Sequence, residues 1–133
     1  MKRLVSILTA FIVVAGFAAI QVTQAKGAEQ GLDVKKIVVA TSVQDREPVG
    51  ENTEFPASVG TLSCWTKVAA KTLPSTVKHV WYIGDKKVFE LSLDIKYPST
   101  NTWSTVSVRP GTWKVVVTDA AGAELSSVSF SVK

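Results

Sequence analysis

Cysteine, histidine and methionine each occur once in 133 residues. A lone Cys64 rules out a disulfide framework within the chain. One Cys and one His79 cannot complete a Cys/His zinc site, which takes four ligands. Haem attachment, which needs two Cys and a His in close succession, is excluded on the same count. Catalytic constellations are equally thin. A thiol nucleophile needs a base to hold its proton, so Cys64 with His79 is the one dyad available, and no oxyanion hole or cleft accompanies it. The Ser residues fall in a strand stripe rather than on a sharp nucleophile turn. Glu90 and Asp94 lie along one strand, about 13 Å apart at ~3.3 Å per residue, rather than across a groove. A calcium loop built from Asp45, Glu47, Glu51 and Glu54 has the wrong spacing, and Arg46 subtracts charge from it. The expectation is a protein that is not an enzyme and uses no metal and no cofactor.

Long apolar runs are scarce too, and the one present stands at the start. Met1-Lys2-Arg3 supplies two cations, and Leu4 to Ile20 follows without a charge. Thr23 and Ala25 then occupy the −3 and −1 positions of a cut before Lys26. This is the three-part pattern of a secretory signal peptide over residues 1–25. An uncleaved membrane anchor is the competing reading, since 17 apolar residues sit at the lower limit of roughly 17–25 for a span. No cationic stop-transfer cluster follows Ile20, which favours cleavage. Lys2 and Arg3 leave with the leader, so 15 Lys+Arg fall to 13 against 11 Asp+Glu. The apparent basic character is therefore partly the leader's. No Lys/Arg cluster interleaved with aromatics remains as a nucleic-acid footprint.

Residues 26–33 lack any periodic pattern and read as a flexible tether. From Val34 onward Val, Thr, Ser and Trp predominate, the residues that suit a pleated surface. Period-two alternation separates Val128, Phe130 and Val132 from Ser127, Ser129 and Ser131. It also separates Trp113, Val115 and Val117 from Lys114 and Thr118, and Phe89, Leu91, Leu93 and Ile95 from Glu90, Ser92 and Asp94. About seven strands result: Val34–Val43, Thr61–Ala69, Thr76–Ile83, Lys87–Tyr97, Thr102–Val108, Thr112–Thr118 and Glu124–Val132. Gly84-Asp85-Lys86 marks a tight hairpin turn. Gln44 to Gly60, with two prolines and four acids, reads as a loop crossing between sheets. The fold class is all-β, an immunoglobulin-like antiparallel sandwich over residues 34–133. Trp81 and Trp113 are in phase with core residues, and Cys64 is in phase with Leu62, Thr66 and Val68 as a buried reduced thiol.

Gly111-Thr112-Trp113-Lys114-Val115-Val116-Val117-Thr118-Asp119, followed by Gly122, resembles the penultimate strand and hairpin of immunoglobulin-like bacterial surface domains. The aromatic there is usually Tyr, so Trp113 departs from the pattern. A second likeness runs through Asp45-Arg46-Glu47-Pro48-Val49, His79-Val80-Trp81, Trp103 and Pro110-Gly111-Thr112-Trp113. In that order these motifs resemble an uncharacterised bacterial envelope family, one of the domain-of-unknown-function families. The resemblance implies an extracytoplasmic all-β domain with no established activity.

Contact is then the expected mode of action. Trp65 falls out of phase with Leu62, Cys64 and Val68, and Trp103 with Val106 and Val108, which places one or both rings on a sheet face or rim. The competing reading packs each ring under the long loop or on a neighbouring sheet edge; it is favoured for Trp65 and evenly balanced for Trp103. Arg46 and Arg109, in connecting segments, are the charged companions. Together these four form the candidate contact set for a noncatalytic, exported interaction or accessory module, periplasmic or extracellular. Its partner is expected to be another envelope or extracellular protein or a second copy of the chain, with no nucleic acid. It meets a membrane only if the leader stays uncleaved. A small carbohydrate-binding module stacking sugar on exposed Trp is the alternative. The last strand, with its Ser stripe, reads as a docking edge.

Overall fold

The computed structural model describes residues 31–133; the expected signal peptide and most of the expected tether lie outside the described residues. Nine strands follow in order: β1 (Leu32–Gln44), β2 (Glu47–Glu51), β3 (Glu54–Phe55), β4 (Thr61–Ala70), β5 (Ser75–Ile83), β6 (Lys86–Ile95), β7 (Ser99–Ser107), β8 (Gly111–Asp119) and β9 (Glu124–Val132). They form a four-stranded sheet, β2-β1-β4-β7, and a five-stranded sheet, β3-β9-β8-β5-β6. Neighbours are antiparallel except β3, which runs parallel to β9. The chain changes sheet five times, at β2–β3, β3–β4, β4–β5, β6–β7 and β7–β8, in an immunoglobulin-like sandwich.

The expected strands stand close to their observed limits, and the two additional strands among the described residues come from the segment read as a loop. Asp45 and Arg46 are a two-residue turn with Gln44 opposite Glu47. Both turn residues have positive φ, 53° and 65°, which is the backbone of a tight hairpin. That signal is normally carried by Asn or Gly, so Asp-Arg hid it. Phe55 in β3 is buried and packs edge-on against Phe130, with ring centroids 6.1 Å apart. One further expectation needs correction. The tether ends earlier, since Leu32 and Asp33 belong to β1 and Leu32 is buried against Val68 and Val77. The last strand is covered at its end only: β3 pairs with Ser131 and Val132, β8 holds its other side, and among the described residues no strand pairs with residues 124–130 on the β3 side.

The core is divided along the strands. One apolar cluster contains Leu62, Cys64, Trp81, Trp113, Phe130 and Val132 with Val39, Phe55 and Val115. The other contains Leu32, Val68, Ala70, Val77, Ile95 and Val117. Trp81 meets Trp113 and Phe130 edge-on at 6.3 and 6.0 Å, while Trp113 stacks on Phe130 at 5.9 Å. Each such pair is worth about 0.5–1.5 kcal/mol beyond its buried area. The indole N–H of Trp113 donates to the Arg109 carbonyl at 2.9 Å. A bond back across the corner into β8 is thus made by Trp where related sandwiches use Tyr. Gly111 makes room for that corner. Its φ is 152°, and a Cβ there would lie 2.8 Å from Cδ1 of Ile83.

Between the two clusters lies a polar layer of Thr66, His79 and Ser104, all buried. The Trp81 indole donates to the Ser104 hydroxyl at 2.9 Å. Ser104 and His79 Nδ1 are 2.8 Å apart, and His79 Nε2 and Thr66 Oγ1 are 3.2 Å apart. Thr66 in turn donates to the Thr102 carbonyl at 3.2 Å. One assignment uses every proton once: Trp81 to Ser104, Ser104 to Nδ1, Nε2–H to Thr66, Thr66 to the carbonyl. His79 is therefore a neutral imidazole carrying its proton on Nε2. Its partners are two hydroxyls, one on β4 and one on β7.

Candidate functional site

Cys64 and His79 do not form a reactive pair. Cys64 lies in β4 and His79 in β5, on opposite sheets. Burial pushes the Cys64 thiol up, far from its thiolate form. Burial also lowers His79 to about 4, and both its ring nitrogens are already bonded. Among the described residues no group of three His, Cys, Asp or Glu side chains converges to hold a metal. Over the outer face of the five-stranded sheet runs an open groove of about 450 Å³, lined by Tyr82, Asp85, Lys114, Val116, Thr118 and Glu124.

The outer face of the four-stranded sheet carries a more ordered arrangement. Val38 pairs with Trp65, and Trp65 pairs with Trp103, so one rung crosses β1, β4 and β7. Directly opposed residues share a face, and this face points away from the core. The tip of the β1–β2 hairpin folds onto it. The Arg46 guanidinium carbon stands 5.5 Å from the centroid of the Trp103 ring, a cation–π contact worth about 0.5–1 kcal/mol at an exposed site. The same guanidinium donates to the Asn101 carbonyl at 2.9 Å. The Arg46 carbonyl accepts the Trp65 indole N–H at 3.0 Å and the Asn101 amide at 3.1 Å. That amide also reaches the Glu47 carboxylate at 3.1 Å.

These bonds explain how a bulky residue stays at φ 65°. Left-handed backbone costs a non-glycine residue of order 1 kcal/mol, and four hydrogen bonds plus a cation–π contact hold this turn in place. Three of the four candidate contact residues therefore meet in one patch. Trp103 is half-buried and Arg46 exposed, so both present surface to solvent. Trp65 is only 2% exposed: its ring packs beneath the hairpin tip, part of the segment read as a long loop, and its indole N–H is bonded there. Arg109 is separate. It lies six residues beyond Trp103, roughly 20 Å along an extended chain, where its carbonyl serves Trp113. Asn101 and Glu47 complete the patch; Glu47 belongs to the motif at residues 45–49, whereas Asn101 carried no signal of its own.

The described residues thus form a small all-β sandwich with its thiol and imidazole buried and a cation–aromatic patch on its outer face. Residues 74–132 match a family model described as Protein of unknown function (DUF2914). The match runs from the residue before β5 to the end of β9 and takes in His79-Val80-Trp81 and Pro110-Gly111-Thr112-Trp113. No curated protein matches the chain.

Proposed function

We propose that this chain is a noncatalytic interaction module, exported to the bacterial envelope or cell surface, that binds a protein partner through the Arg46–Trp103 patch. The observation that carries the reading is the guanidinium held over Trp103 by a strained, fully bonded turn. Arg and Trp are the residue types that dominate binding energy at protein interfaces. A pre-ordered pair of them loses little freedom on docking. Export rests on the cationic start, the apolar run and the Thr23/Ala25 break. A glycan platform is less favoured, since Arg46 occupies one face of Trp103 and Trp65 lies beneath the hairpin tip.

The test compares wild type with Arg46→Ala and Trp103→Ala in co-purification from envelope extracts. A partner kept by wild type and lost from both variants, with circular dichroism unchanged, supports the reading. Tryptophan fluorescence that shifts on adding polysaccharide, and no longer shifts in Trp103→Ala, would replace it with carbohydrate binding.

A further inference from the structure

The four sheet edges differ in what they offer an additional strand. β2 spans five residues and contains Pro48 and Gly50; β3 spans two, and the stretch of β9 that it leaves unpaired, residues 124–130, carries three Ser residues. β7 is longer but is built mostly of Ser, Thr and Asn. β6 runs for ten residues without proline or glycine. Phe89, Leu91 and Leu93 on β6 stand opposite Trp81, His79 and Val77, so they point to the core side of their sheet. Yet Phe89 is 38% and Leu91 36% exposed. Ile95 and Leu93 on the same face pack into the core, so the uncovered part of β6 is its middle, at Phe89 and Leu91. Natural edges are usually protected by a central charge, a proline or shortness. The apolar row of β6 has none of these; its lysines, Lys86 and Lys87, stand at one end, beside the bulge near Val88.

We propose that β6 pairs antiparallel with β6 of a second copy of this chain, about a two-fold axis through Leu91, joining two five-stranded sheets into one. The sequence of the strand selects that partner and that register. Centred on Leu91, Leu91 faces Leu91 and Phe89 faces Leu93 on the core side, while Glu90 faces Ser92 on the outer side. Asp94 then comes beside the Lys86–Lys87 end of the second copy. Centring on Glu90 would set two carboxylates face to face, and centring on Ser92 would oppose Glu90 to Asp94; like charges directly opposed are destabilising. A shift by a single residue on one strand would set the apolar row against the polar one. Lys86 and Lys96 oppose each other only at the last rung, where solvent screens them. The two exposed apolar rows thus cover one another, and a single surface serves both copies, as a two-fold interface requires.

Sedimentation equilibrium on the purified full-length gene product, as processed by the cell, tests this. Wild type should show twice the chain mass through the micromolar range. Leu91→Lys, which places two ammonium groups on the axis, should show the single mass with unchanged circular dichroism. Leu91→Cys should form a disulfide-linked dimer under mild oxidation, because directly opposed strand residues lie within disulfide reach. Ser107→Cys on β7 should stay single. The Leu91→Cys result decides the matter if Leu91→Lys does not fold. Trp103→Ala should keep the double mass, which separates this surface from the Arg46–Trp103 patch. Single mass for wild type throughout, double mass in Leu91→Lys, or a β6 edge that pairs only with a different protein would overturn the proposal.

Discussion

His79 has no exposed surface, and burial disfavours its charged form. Its folded value of about 4 lies below the ordinary 6.5. Between those values the unfolded chain binds the proton and the folded chain does not. Stability is therefore full above pH 6.5, falls as pH drops toward 4, and levels off below. The whole effect corresponds to about 3 kcal/mol at ~1.4 kcal/mol per pH unit. Urea midpoints measured from pH 7 to pH 4 should decline through this window, and the imidazole resonances should show no protonation above about pH 5. Cys64 makes a second prediction at this scale. Its thiol should be inert to an aromatic disulfide reagent in native buffer and should react fully in denaturant, since only unfolding exposes it.

The β1–β2 hairpin illustrates how an element can be constrained by what its tip touches. Arg46→Ala removes the guanidinium contacts and keeps the left-handed backbone, so it should cost about 1 kcal/mol or more. Arg46→Gly removes the same contacts but relieves the backbone, and should cost about 1 kcal/mol less than Arg46→Ala. Paired chemical denaturation curves check the order, and equal losses would mean that the turn carries no strain. Such a device is hard to read from sequence. Alternation at Val128, Phe130 and Val132, or at Trp113, Val115 and Val117, reports a half-buried strand directly, and those strands were legible to within a few residues. Asp45-Arg46 reports no turn, because its positive φ values are stabilised from elsewhere in the fold. Trp65 was legible as lying off the core face, while its burial depends on a cover some twenty residues upstream. The meeting of Trp65 and Trp103 depends on the register between β4 and β7, which no local pattern encodes.

Across the whole molecule, the polar layer joins the two apolar clusters instead of isolating them. Thr66 and Ser104 come from one sheet and His79 from the other, so both clusters share a cross-sheet tie. Unfolding should accordingly be a single transition, with tryptophan fluorescence and far-UV circular dichroism superimposing. Leu32→Ala in one cluster and Phe55→Ala in the other should each lower the midpoint, by about 2–5 kcal/mol in stability, without separating the two signals. The matched segment 74–132 is not such a unit. Its β7 lies against β4, and the inner face of its sheet is covered by strands that precede it. Expressed alone it should remain unfolded by both signals.

The ends of the described domain lie at opposite poles, Leu32 in one apolar cluster and Val132 in the other. A pull between them runs along the strands. It would shear the β1–β4 ladder lengthwise, loading its hydrogen bonds together instead of peeling them one by one. At the far end Phe55 and Thr53 clasp Lys133 and Ser131 through backbone bonds of 3.0 and 2.9 Å, and these too would be loaded in shear. Extension along the strand axis should therefore meet its resistance at both poles at once.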